Sequence, residues 1–161
     1  MSCDIVSSAL SMIGVRYRWG GNSPYSGLDC SGFVSYVFKD TFGISLPRRV
    51  KEMSHIGKKI NVNNLSPGDL VFFKTRHQIF SHVGIYIGDK KFVHSPSTGN
   101  TIRVDYFNNS YWRKRFSGAR RVEIKFPNKD QKSTLHYMRM PIGKNSSIRS
   151  DLNLNFFVPS S

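Results

Sequence analysis

The spacing of hydrophobic and polar positions changes once along the chain, near Pro67-Gly68-Asp69, and two kinds of element lie on either side. Upstream, Ile5, Ala9, Met12 and Ile13 recur at helical spacing over Asp4 to Ile13, and Gly14 is the stop. The stretch GVRYRWGGNSPYSG, rich in Gly, Ser, Asn and Pro, predicts a loop with aromatics embedded in it. From Cys30 the helical stripe resumes through Phe33, Val34, Val37 and Phe38, ending at Gly43. Leu46-Pro47-Arg48 then opens a predicted short helix to His55, with Pro47 in its first turn.

Downstream the pattern is short, β-rich and punctuated by turns. It predicts strands at Leu70 to Phe73, Val83 to Ile87, Phe92 to His94, Ile102 to Val104, and Ala119 to Ile124. Helices first and strands second give an α+β class, N-terminal helices packed on a central antiparallel sheet. Beyond Phe126 the composition shifts to Asn, Ser, Lys and Arg. The expected organisation is therefore a domain over 1–125 and a basic, polar extension over 126–161, poorly ordered through 129–150. Alternation at Leu152, Leu154 and Phe156 fits a terminal strand.

Composition narrows the class. The 161 residues are 39% hydrophobic and 13% aromatic, which describes a globular chain. No apolar run is long enough to span a membrane, and Met1 to Met12 lacks the charged and apolar regions of a signal peptide. A net charge of +14 favours polyanionic partners. No helix-turn-helix, zinc-finger spacing or aromatic RNA-binding motif directs that charge to nucleic acid. Two cysteines, Cys3 and Cys30, are too few for a disulfide scaffold, so both are expected as free thiols. Lipidation of Cys3 ranks below an ordinary core cysteine.

Candidate chemistry centres on Cys30 at a predicted helix N-terminus, where the dipole and free amides favour a thiolate. An imidazole beside it would take the thiol proton and return it to a leaving amine. His82 opens one strand and His94 ends the next. A two-residue turn at Asp89-Lys90 pairs His94 with Ile85 and sets the two rings on opposite faces. A three-residue loop, Gly88 to Lys90, or a bulge puts both on one face, roughly 7–8 Å apart. Cooperation therefore requires a loop or bulge of that kind. Zinc held by Cys30, His82 and His94 is the metal alternative, without paired Cys-x-x-Cys spacing to support it. His55, His77 and His136 read as structural. Tyr111, Trp112 and Phe116 fit packing on one short helical face. Arg113-Lys114-Arg115 and Arg120-Arg121 read as solvated clusters, or as a rim that steers an acidic substrate.

The segments GVRYRWGG, LDCSGFVSYVF, LPR, LSPGDLVFF, SHVGIYIGDKKFVHSPS and YWRKRFSGARRV resemble the NlpC-type papain-like cysteine peptidases of bacterial cell walls. The likeness runs from about Gly14 to Val122 and is closest to murein endopeptidases of the Spr lipoprotein type. It implies a papain-like fold with Cys30 as nucleophile, His82 as base and His94 as the residue that orients it. It also implies that Tyr17, with the Cys30 backbone N–H, serves the oxyanion. Asp29 and Ser31 line the substrate's N-terminal side in some relatives, and Trp19 is a wall there. Departures are a loop one residue longer before Asp29-Cys30, Ser95 in place of a frequent Ala, and the extension after Ile124.

The function so implied is hydrolysis of an amide bond in peptidoglycan stem peptides, or in their D-alanyl–diaminopimelate cross-links, through an acyl-enzyme on Cys30. One alternative is a D-glutamyl–diaminopimelate peptidase acting as a phage lysis or tail protein or an antibacterial effector. Others are a non-catalytic wall-binding module, or acyl transfer on a related fold. The expected protein is a monomer without cofactor, metal or nucleic-acid partner, acting in the cell envelope, periplasm or outside the cell. Cytoplasmic storage before release is the other location.

Overall fold

The computed structural model describes residues 2–75 and 80–124, with side chains from Asp4 onward. His77, His136, the extension 126–161 and the Cys3 side chain lie outside the described residues.

The first helix, α1 (Ser2–Ser11), buries Ile5 and Ala9 of the expected stripe but ends before Met12 and Ile13, the first half-buried and the second exposed. The second, α2 (Cys30–Phe42), begins where Asp29 accepts the Gly32 N–H at 2.8 Å. Such an N-cap contributes about 1 kcal/mol. Gly43, at φ 69°, returns its N–H to the Lys39 and Phe38 carbonyls and ends the helix. The third, α3 (Val50–Met53), is shorter than the expected Pro47 to His55. Arg48 is tied to residues beside Cys30 and Arg49 is extended, so the chain turns helical only at Val50.

Among the described residues, eight short strands follow or interleave with these helices. A two-residue ribbon pairs β1 (Asn22–Ser23) with β2 (Gly27–Leu28) just before Cys30. The main sheet contains β3 (Lys58–Ile60), β4 (Leu70–Phe73), β5 (His82–Gly88), β6 (Lys91–His94), β7 (Arg103–Tyr106) and β8 (Phe116–Arg121). Its order is β3-β8-β4-β5-β6-β7, antiparallel throughout. A fourth helix, α4 (Ser110–Arg115), precedes β8. The last strand starts three residues before the expected Ala119, so Phe116 opens a strand rather than continuing a helical face. This is the expected α+β architecture.

Because side chains alternate across a strand, the sheet has a core on each face. Leu70, Phe72, Val83, Ile85 and Val93 pack with the buried stripes of α1 and α2. Val71, Phe73, Phe92 and Ala119 pack with Trp112 of α4 on the other side. The strand β4 is buried along its whole length, as a central strand covered on both faces must be. Arg121, expected in a solvated cluster, instead makes a bidentate pair with buried Asp69 at 2.8 and 2.9 Å. That pair ties β8 to the turn before β4.

Candidate active site

Cys30 is the first residue of α2 and sits half-buried at the floor of a cleft of about 900 Å³. Tyr17, Trp19, Asp29, Ser31, Arg48 and His82 line the same cleft. Two sequence features hold the helix start close to the loop before it. Asp29 also accepts the Gly20 N–H at 2.9 Å, and Gly32 lacks a Cβ that would collide with the Gly21 carbonyl. Backbone N–H groups of Val83, Ser31 and Cys30 itself pull the thiol's pKa down. Burial pushes the thiol up to about 11 and the Asp29 charge adds to the rise, outweighing those N–H groups. The helix start foreseen from the sequence is present, but desolvation wins over it.

The register of the β5–β6 hairpin decides where the imidazoles go. Asp89 and Lys90 form a two-residue turn, both at positive φ (52° and 60°), between the paired residues Gly88 and Lys91. That turn alone would set His82 and His94 on opposite faces. A bulge between Tyr86 and Gly88 restores the match, pairing Tyr86 with Phe92 and Ile85 with Val93. One step further His94 comes opposite Gly84, where a Cβ would stand 3.1 Å from the His94 Cβ. His82, Gly84 and His94 thus share a face.

On that face His82 Nε2 and His94 Nδ1 lie 2.8 Å apart. His94 is fully buried, and its Nε2 lies 2.6 Å from Asp105 Oδ2. His82 borders the cleft with Cys30, while His94 stands behind it. Trp112 stacks on the His82 ring at 5.5 Å and meets His94 edge-on at 4.9 Å. It is a packing residue, as foreseen, but what it packs against is the imidazole pair. Burial pushes the His94 imidazole below its ordinary value, against the pull of Asp105. Burial alone would raise the Asp105 carboxyl. Hydrogen bonds from His94 and Arg103 outweigh that and hold it below the usual carboxylate range. With Nε2 engaged by His94, the arrangement can take a proton from the thiol at His82 Nδ1, the other ring nitrogen.

The remaining expected residues divide by exposure. Tyr17 is buried against the cleft, and Trp19 stands at its rim, 72% exposed. Asp29 and Ser31 line the cleft but are already engaged: Arg48 donates to Ser31 Oγ at 2.6 Å, to Asp29 Oδ2 at 3.1 Å and to the Gly21 carbonyl at 3.2 Å. Arg48 and Asp105 were not among the sequence candidates. The Leu-Pro-Arg segment was the available signal for the first. Asp105 carried none, being one of several polar residues near a strand. Among the described residues, no group of three or more His, Cys, Asp or Glu is placed to hold a metal ion, and no helix is long and apolar enough to cross a membrane.

A papain-like α+β sheet with a thiol at a helix start and an imidazole pair across the cleft defines the class: the cysteine-hydrolase fold. The NlpC/P60 family model matches residues 14–121, and the chain belongs to that family. It is 47% identical over 109 residues to murein DD-endopeptidase MepS/murein LD-carboxypeptidase of Escherichia coli K12, covering 68% of this chain and 56% of that protein. It is 43% identical over 120 residues to murein DD-endopeptidase MepH of the same organism, covering 73% and 44%. The chain thus spans about half the length of these relatives. Among solved structures, the NlpC/P60 domain of peptidoglycan hydrolase SagA superposes with a TM-score of 0.65 at 31% identity, covering 77% of this chain and 99% of that one.

Proposed function

We propose that residues 1–125 form a cysteine endopeptidase that hydrolyses an amide bond of peptidoglycan stem peptides, the D-alanyl–diaminopimelate cross-link being the bond favoured. The observation that carries this reading is the His82–His94 hydrogen bond at 2.8 Å beside a cleft shared with Cys30. The names of the relatives, murein endopeptidases, support the substrate class.

In this reading the Cys30 sulfur attacks the carbonyl as His82 Nδ1 accepts its proton. With the thiol resting near 11, the proton moves during attack rather than before it. The Tyr17 hydroxyl and the Cys30 N–H stabilise the oxyanion. The imidazolium then protonates the leaving amine, and water releases the acyl group from Cys30. His94 accepts the His82 Nε2–H throughout, holding the ring in plane with the thiol. Trp19, Asp29 and Ser31 border the substrate on one side. The enzyme works as a monomer on the cell envelope, with no cofactor, and the segment 126–161 is an extension to it.

Mass spectrometry of muropeptides from purified sacculi tests the function. Wild type releases monomers from cross-linked dimers and Cys30→Ala does not. Equal release by both proteins contradicts the reading, and release of D-glutamyl–diaminopimelate products reassigns the bond.

A further inference from the structure

We propose that Asp105 is a positioning residue that fixes the tautomer of His94 and, through it, leaves His82 Nδ1 bare for the thiol. The juxtaposition is built by register: Asp105 pairs with Phe92 across β6–β7, and His94 with Arg103, so Asp105 and His94 are diagonal neighbours on one face.

The hydrogen-bond chain permits one assignment. Asp105 is held ionised by its neighbours, so its oxygen accepts and His94 Nε2 donates at 2.6 Å. A neutral imidazole with its proton on Nε2 has a bare Nδ1. That nitrogen, 2.8 Å from His82 Nε2, accepts the His82 proton. His82 then carries its hydrogen on Nε2, and Nδ1 is the lone pair offered to the cleft. The opposite tautomer would set the His94 Nε2 lone pair against a carboxylate at 2.6 Å. It would also move the His82 proton to Nδ1, facing a neutral thiol with no base.

Two further contacts hold the carboxylate itself. Arg103 Nε donates to the same Oδ2 at 2.9 Å, and Asn100 receives the other end of the guanidinium at 3.4 Å. Asp105 touches neither the sulfur nor the cleft that contains Cys30. It reaches the reaction only through His94. When Cys30 loses its proton to His82 Nδ1, the only transfer is that one; Nε2–H stays bonded to His94, and Asp105 stabilises the imidazolium through the intervening His94 ring.

The tautomer assignment stands on the geometry, while its kinetic consequence rests on the hydrolase reading above. Long-range proton–nitrogen NMR of the histidine rings near pH 7.5, on wild type, Asp105→Ala and Asp105→Asn, tests both. In wild type, His94 shows a protonated Nε2 and a bare Nδ1. In Asp105→Ala the two tautomers mix, and kcat falls about 10- to 100-fold with KM held within about threefold. The near-isosteric Asp105→Asn, which keeps an acceptor but adds a competing donor, falls between and carries the test if the Ala variant does not fold. A protonated Nδ1 in wild type, or an unchanged tautomer and kcat in the folded variants, overturns the proposal. A wild-type protein inactive on muropeptides overturns the hydrolase reading instead, and the ring spectra still decide the tautomer.

Discussion

The hydroxyl of Ser95 donates to the carbonyl of Leu28 at 2.6 Å, wholly buried. Ser95 follows His94 and Leu28 lies two residues before Cys30, so one bond ties the end of β6 to the chain that delivers the thiol.

Ser95→Ala removes the good partner and leaves the Leu28 carbonyl with the long Arg18 N–H contact at 3.4 Å. Loss of a buried partner costs about 1–3 kcal/mol. The melting temperature is expected to fall by several degrees in thermal unfolding followed by circular dichroism. An unchanged transition would show that the bond contributes nothing.

Gly84→Ala is expected to cost activity more than folding. The new Cβ would meet Phe92 Cδ2 at 2.9 Å, the Val93 carbonyl at 3.0 Å and the His94 Cβ at 3.1 Å. The β6 strand must shift, and a displacement of even 1 Å at His94 can reduce kcat about 100-fold. Steady-state kinetics on a soluble cross-linked muropeptide measures it, with far-UV dichroism to verify the fold. Full activity in the variant would mean that β6 tolerates the side chain and the imidazole register is less tight than the distances say.

The thiol makes a pH prediction. A value raised to about 11 keeps Cys30 protonated at neutrality, and the thiolate fraction rises as pH climbs toward it. Alkylation of the resting protein by iodoacetamide should therefore accelerate about tenfold per pH unit from 7 to 10. A plateau from pH 5 upward would reveal a preformed thiolate–imidazolium pair. The stability sign agrees: the folded thiol titrates later than the unfolded one, so the contribution is lost as pH rises through the folded value.

Arg48 offers a test of bidentate geometry. Its guanidinium spans Ser31, Asp29 and the Gly21 carbonyl, a reach a lysine ammonium lacks. Arg48→Ala and Arg48→Lys should both loosen the chain around Cys30, raising KM at least about fivefold and lowering the melting temperature. Rescue of both quantities by lysine would reduce the role of Arg48 to charge alone.

Much of this was legible in the sequence because local rules and tertiary context agree there. The Asp29 cap, the Gly43 stop and the α2 stripe are short-range features. The hairpin requirement was legible too, as a conditional: His82 and His94 had to share a face, and the bulge between Tyr86 and Gly88 meets that condition. What could not be read depended on long-range pairing. The Lys58–Ile60 strand is three residues at a sheet edge with no alternation to betray it. Asp105 acquires its meaning only when β7 lies beside β6, and Trp112 only when α4 covers the imidazoles. The thiol's surroundings divide in the same way: the helix N-terminus is local, whereas the burial that raises the thiol comes from the whole fold.

In the proposed reaction the acyl group passes through the Cys30 sulfur as a covalent thioester. Acid-quenched intact mass spectrometry during turnover of a cross-linked muropeptide, with peptide mapping, tests it most directly. A transient adduct with the mass of the acyl donor is expected on the peptide containing Cys30, absent in Cys30→Ala. Product formation with no adduct at Cys30, or with undiminished rate in Cys30→Ala, would contradict it.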